Sequence, residues 1–492
     1  MLPTVKNKIL PLGLLISASL LSACGGSSSE KNVAPVISGD SSPVVAENTV
    51  SVGNYSASDA NGDAITLSIT GDASGLFSLD QSGNLNFIQA PDYDSGDIGP
   101  FSVTIVATDD SRDKLTGQIA IQVSVGDEKD TPSFALVQTV APDYSSSEVV
   151  TLDPKTQQVT SGYYIKDASG YTLSSYKSDI YHIGQYKIDT IAKYNADDLE
   201  SEIWNFSTQD NQDSITRNPY ALISVDESKA YLLRYGSSKV WIVNPQATQP
   251  ENFRIGELDL SAYVATNNSK ETPHPAAAVV VDGKLYIAMQ RLADSWAGNT
   301  AYVAVFDVTT DQEIETNANT DDDVMGIPLK GINPRSIIST NDHVYVTTSN
   351  TTKHPDLTLS RIEKIDVSNF MLTTVISADQ IEGNVSALIS SSVIVSAEKG
   401  YLVASDLSPA WQNESTLYEF NPSTGTIINK NVLYSEIVNI SSLALDEANF
   451  LWIGIRDPAE SGVDVMNTTT NTFETPRLVT EFNPGKIIFI EK

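Results

Sequence analysis

Six small polar residues recur at near-equal distances through the second half of the chain. They are Asn218, His274, Asn333, Asn384, Asn439 and Asn483, spaced 56, 59, 51, 55 and 44 residues apart. A side-chain amide carries both donors and an acceptor, so a ring of them suits a polar ligand or an ion. The same residues also suit a purely structural task. Asn-Pro starts an extended strand at little cost, and an Asn side chain can satisfy a turn amide. A second group carries stronger binding chemistry: Arg291, Trp296, Arg335 and Trp411. An indole stacks on a planar or sugar-like ligand, and a guanidinium selects an anionic group. No zinc-protease H-E-x-x-H, serine-hydrolase G-x-S-x-G, C-x-x-C or phosphate loop is present. The four histidines stand singly, and the one cysteine forbids an intrachain disulfide.

The elements that must position these residues are strands. Seven apolar runs end in Asp or Asn and a polar turn, at Asp153, Asn195, Asn244, Asp307, Asp366, Asn421 and Asn467. Six are preceded by an aromatic in a short apolar run: Tyr181, Tyr231, Tyr286, Tyr345, Tyr401 and Trp452. The period is about 52 residues with no helical patterning, which predicts seven four-stranded units in a β-propeller. The last apolar run, Lys486 to Ile490, should supply the innermost strand of the unit begun at Ala135-Leu136-Val137. That pairing would close the ring with both ends of the domain and remove an exposed edge. In this geometry the Asn register lies at one channel mouth. Three consecutive units carry longer loops over the same face, taking 21, 21 and 20 residues from aromatic to Asp/Asn instead of 14 and 13. Those loops hold Arg291, Trp296 and Trp411. Loops extended over a rigid scaffold are where binding concentrates, although neutral loop growth gives the same lengths.

Composition narrows the classes. The chain has 492 residues, with 62 acids against 30 bases and a net charge of −32. So acidic a chain does not hold nucleic acid through its phosphates, nor an anionic lipid surface. Segment 33–130 reads as a β-sandwich of short alternating strands, such as Ala64 to Ile69, Phe101 to Val106 and Gln118 to Val123. Residues 133–492 form the propeller. The expected fold class is therefore all-β, an N-terminal sandwich followed by a seven-bladed β-propeller.

Three resemblances add to this reading. Lys6 and Lys8, an apolar run from Ile9 to Leu21, and then Leu21-Ser22-Ala23-Cys24 resemble a bacterial lipoprotein signal. The resemblance implies removal of residues 1–23, lipid (palmitate among the acyl chains) on Cys24, a tether over 24–32, and an outer-membrane anchor facing periplasm or exterior. In the sandwich, Glu47-Asn48-Thr49, Asp59-Ala60-Asn61-Gly62-Asp63, Ala90-Pro91-Asp92-Tyr93-Asp94 and Ala107-Thr108-Asp109 resemble a bacterial cadherin-like repeat. That family implies Ca2+ at one domain end, here on Glu47, Asp92, Asp94, Asp127 and Asp130. Calcium's need for six to eight oxygen ligands fits such a set, and a metal-free solvated loop end fits it too. The propeller units resemble the YVTN/quinoprotein-like superfamily, which hosts many functions. The whole resembles lipoproteins that capture a nutrient for an outer-membrane transporter. The expected function is a membrane-anchored binding lipoprotein whose propeller holds a small ligand, glycan or protein. The alternatives are a hydrolase or lyase working at the channel mouth, and an adhesion or scaffold protein.

Overall fold

The computed structural model describes residues 31–91, 93, 97–126, 134–153, 155–210, 215–316, 324–350, 356–384, 386–407, 413–430, 432, 434 and 438–490. Backbone contacts divide the chain into two units, Met1–Glu128 and Lys129–Lys492. Among the described residues no helix is long and apolar enough to cross a membrane.

The first unit is a sandwich. One sheet orders Val44–Ala46, Thr116–Gly126, Phe101–Asp109 and Ile65–Thr70, the first pair parallel and the others antiparallel. Ser51–Asn54, Asn84–Phe87 and Phe77–Leu79 form a second sheet, and Val36–Ser38 pairs with Ser56–Ser58. Alternation does the folding work. In Phe101–Asp109 every second side chain is buried, and Val103, Ile105 and Ala107 join Tyr55, Leu85 and Ile121 in one core. Gly83 has φ +85°, and a Cβ there would lie 1.9 Å from the Tyr55 carbonyl oxygen, so only glycine fits.

In the second unit, among the described residues, seven sheets stand in sequence order, six of four strands and one, begun by Ile440–Leu445, of five. Their first strands are Tyr171–Tyr176, Pro219–Ser224, Pro275–Val281, Pro334–Ser339, Leu388–Ile394, Ile440–Leu445 and Asn483–Ile490. Each touches the first strand of the next sheet, and Asn483–Ile490 touches Tyr171–Tyr176, so the contacts run in a circle. These are the inner strands of a propeller. The closing blade takes Asn483–Ile490 from the end of the chain and Phe134–Val140 from the start of the domain. They pair antiparallel with Leu136 opposite Ile488 and Val137 opposite Ile487. The second strand of each blade lies deepest, as in Ala230–Arg234, where all five residues are buried.

The Asp/Asn repeat has a local cause. Each of the seven residues accepts a backbone N–H from two residues on, as from Asp307 to Thr309 (3.0 Å) and from Asn467 to Thr469 (2.9 Å). This is the Asx turn that ends the third strand. Four residues after Asp307, Asp366 and Asn467, the chain turns through positive φ at Asp311, Phe370 and Asn471. That corner reaches the aromatic of the preceding blade. Tyr231 donates to Asp311 (2.6 Å), and Tyr401 donates to Asn471 (2.6 Å). At the equivalent corner Phe370 offers no acceptor, and the Tyr286 hydroxyl is buried without a partner.

Two chemically identical substitutions should therefore diverge. Tyr231→Phe removes a hydroxyl that holds two blades together and leaves Asp311 with Lys229 alone, at about 1 kcal/mol. Tyr286→Phe removes an unsatisfied buried hydroxyl and should leave stability unchanged or raised. Denaturant melts of the two variants check this, and equal losses would contradict the lock.

Candidate functional site

The inner strands enclose a cavity of about 720 Å3 on the ring axis, and all seven contribute to its wall. Its emptiness has a sequence cause. At the first lumen-facing positions stand Ala221, Ala277, Ser336, Ser391 and Ser442, too short to fill the axis. A β-bulge stands just before that position in each of these strands, between Pro219 and Ala221, Pro275 and Ala277, and Pro334 and Ser336 for example. The extra residue re-aims the strand as bulges do. In the Pro334–Ser339 strand that residue is Arg335.

Two cations line this cavity, Arg335 and Lys486, and among the described residues lining it there is no carboxylate. Both side chains are exposed to solvent in the lumen. Lys486 is nevertheless surrounded by protein, and this desolvation pushes its ammonium below the ordinary lysine value. Beside Arg335, burial pushes the Tyr220 phenol up, and the guanidinium charge opposes that shift. Tyr220 stacks on Tyr235 at 4.7 Å.

The Asn register sits where its spacing places it, just ahead of or at the start of the inner strands, and five of its six side chains are engaged with the chain itself. Asn218, His274 and Asn333 have φ of 48°, 56° and 55°, a region that Asn tolerates better than most residues. The Asn218 side chain accepts from the Tyr186 N–H (2.9 Å), and that of Asn333 donates to the Asn350 carbonyl (2.6 Å). Asn384 donates to the carbonyls of Ala378 (2.7 Å) and Ala387 (2.9 Å), and Asn483 accepts from Ser461 (2.9 Å). Asn439 and Asn483 also line a second cavity of about 590 Å3, with Arg456, Asp457, Glu460 and Glu481. His274 is 4% exposed, and its Nδ1 accepts from the Leu292 N–H (3.2 Å). Burial, and then the Lys270 charge, push its pKa down to about 4.

The extended-loop residues divide. Trp296 is 54% exposed at φ 63°, with the Lys270 ammonium 5.2 Å over its ring. Arg291 donates to the carbonyls of Tyr263 (2.7 Å) and Thr300 (2.8 Å) and stacks on Tyr302, so it holds its own loop. Arg217 and Arg234 both pair with Asp210, at 2.9 and 2.8 Å. Trp411, Cys24, Asp92, Asp94, Asp127 and Asp130 lie outside the described residues.

Of the expected calcium ligands, Glu47 is 3% exposed and accepts from the Tyr93 N–H (2.7 Å). Its own N–H donates to Gly126, and the next N–H to Pro91, so it abuts both segments that carry the other four acids. At the opposite end of the long hairpin, Asp59, Asp63 and Asp109 bring carboxylate oxygens within 4.8 Å of one another. Asp109 is nearly buried and also accepts from Asn32 (3.0 Å). Asp59 Oδ2 and Asn32 Oδ1 are buried without partners. Like-charge repulsion from Asp59 and Asp109 adds to desolvation in raising the Asp63 pKa. Sequence alone gives these acids no metal role, because the segments of Asn32, of Asp59 and Asp63, and of Asp109 meet only after the sheet has formed. The axial cavity lies inside the ring, whereas the sequence points to the channel mouth and the long loops, and Lys486 sits in sequence as one residue of an apolar strand.

His274 gives a pH signature. Its folded pKa lies below the unfolded value near 6.5, so its contribution is complete above pH 6.5 and is lost as pH falls toward 4. The full loss is about 3 kcal/mol. His274→Asn supplies the residue found at positions 218 and 333 and should flatten the stability–pH curve across that window. Melts from pH 7 to 4 on both proteins test it; parallel curves would show that His274 does not titrate there.

Residues 32–122 match the family described as Bacterial Ig domain. No curated protein matches the chain. Among solved structures, the chain is 12% identical to a Bacteroides uniformis protein provisionally assigned as a 6-phosphogluconolactonase, covering 73% of this chain and all of that one, with a TM-score of 0.49. It is 11% identical to apo AztD from Citrobacter koseri over 73% and 98% of the two chains, at 0.39. It is 10% identical to the Dos1 propeller over 72% and 86%, at 0.42. The family match makes the first unit an Ig-like sandwich, and the closed circle of seven sheets makes the second a propeller.

Proposed function

We propose that this chain is an extracytoplasmic binding lipoprotein in which the propeller is a ligand-capture head. The carrying observation is the axial cavity of about 720 Å3, walled by all seven inner strands. That volume is in the range of small-molecule sites, and its walls are hydrogen-bonded inner strands. Cys24 anchors the chain by lipid to the outer membrane, the cadherin-like sandwich is a spacer, and an outer-membrane transporter receives the ligand. The enzyme reading would use the same cavity and differs only in what becomes of the ligand.

Mature protein screened by thermal shift against small sugars, organic acids and lactones should yield binders. NMR of each binder after incubation should show it unchanged. Converted ligand would favour the hydrolase or lyase, and an empty screen would favour adhesion. Cys24→Ser should move the protein from the membrane to the soluble fraction; identical fractionation of both forms would remove the anchor.

The spacer carries a calcium proposal of its own. Asp59, Asp63, Asp109 and Asn32 fit a divalent cation, since all offer oxygen and two of those oxygens are buried without partners. Bound calcium would offset their mutual repulsion and tie three loops together. Calcium should raise the melting temperature over chelator in the intact protein, and Asp59→Asn should shrink that shift. The absence of any shift would leave the sandwich metal-free.

A further inference from the structure

We propose that the axial cavity is an anion site, which holds a small organic dianion between Arg335 and Lys486. This rests on the capture reading above and names its ligand class.

The first argument is one of pairing. With 62 acids to 30 bases, carboxylates outnumber cations two to one, and the buried cations of the blades take them as partners. Lys193 pairs with Asp179, Lys229 with Asp311, Lys399 with Glu419 and Arg477 with Asp464, while Asp210 serves Arg217, Arg234 and Arg254. Among the described residues Arg335 and Lys486 have neither a carboxylate nor a hydrogen-bond partner, and they line one cavity. Two like charges that share a partly desolvated lumen are unfavourable unless a counter-charge joins them.

The second argument is that the fold does not require them. The residue passed over by the bulge is Tyr220 or Ala276 where Arg335 stands in its own blade. The next position, where Lys486 stands, holds Ala221, Ala277, Ser336, Ser391 and Ser442 in the other strands. Small neutral residues satisfy the Lys486 position five times over and uncharged ones satisfy the Arg335 position, so the cations serve something inside the lumen.

The third argument is geometric. The two blades lie three steps apart on a ring of seven, the furthest separation available, so the charges stand on opposite walls. A ligand with one charge would neutralise one wall. A molecule with two acidic groups, or one doubly charged phosphate, can satisfy both. The guanidinium fork accepts either group in bidentate fashion, and the ammonium meets it as a point charge. A cavity of this volume admits a metabolite and excludes a polymer. The acidic surface does not forbid this, because salt screens it over about 8 Å while contacts inside the lumen act at bonding distance.

Isothermal titration at constant ionic strength tests the site, with succinate, citrate and glycerol 3-phosphate as probes and glycerol as neutral control. Wild-type protein should bind at least one anion and not glycerol. Arg335→Gln and Lys486→Gln should each weaken binding about tenfold or more, the double variant should abolish it, and Lys486→Arg should retain it. Melting curves establish that each variant is folded. Failure of all three anions to bind, or undiminished affinity in the folded double variant, overturns the proposal. If a neutral compound binds while no anion does, capture stands and the anion site falls. If nothing binds in either experiment, both fall.

Discussion

Everything in the second unit depends on one pairing between distant parts of the chain, that of Asn483–Ile490 with Phe134–Val140. A propeller blade touches only its two neighbours, so a ring left open would expose both faces of a gap and a row of unpaired strand groups. Closure by pairing two chain ends within one sheet fastens the gap with backbone hydrogen bonds and not with side-chain packing alone. It also buries Ile487, Ile488 and Ile490, each worth roughly 1.5–3 kcal/mol when removed from water. Leu136 and Ile488 belong to one core cluster and Val137 and Ile487 to the next, so the closing blade is welded to both neighbours.

The same strand carries Lys486. The lumen therefore acquires its second charge only when the ring closes, and the cavity and the closure are one structural event. Seven inner strands crowding an axis must present short side chains or fill the lumen, and Ala and Ser do the former here. Against that background a long side chain is conspicuous, and the two that are charged face each other across the ring.

Much of this fold could be read from sequence because its signals are local. An Asx turn needs only an Asp or Asn and the next few amides, so Asp153 through Asn467 announce seven blades without any tertiary knowledge. The buried aromatics mark second strands for a similar reason. The Asn register was legible as spacing, but spacing alone does not separate a ligand collar from a backbone role. In the fold, three of its members stand at positive φ, and most have their side chains tied to neighbouring chain. Arg335 stood out as a guanidinium beside the register. Lys486 did not, because a lysine inside an apolar run looks like an edge residue until a bulge sets which face it takes. Asp59, Asp63 and Asp109 were hidden for another reason, since they are separated by up to 50 positions and meet through strand pairing.

The surplus of acid bears on why the lumen is the exceptional place. Elsewhere the propeller uses carboxylates to settle several of its buried cations and to lock blades, as Asp311 does for Lys229 and Tyr231 together. Asp210 does more, drawing three arginines into one cluster in which Arg234 is wholly buried and stacks on Trp241 at 4.2 Å. A chain with 62 acids has the means to place one beside Arg335 or Lys486, for instance at Ser336 or Ser442 in the same or the next blade. That would fill the lumen's charge deficit internally and make it indifferent to solutes. Serine at those positions keeps the lumen open and leaves the deficit to be met from outside, which is the electrostatic condition for a site that binds and releases an anion.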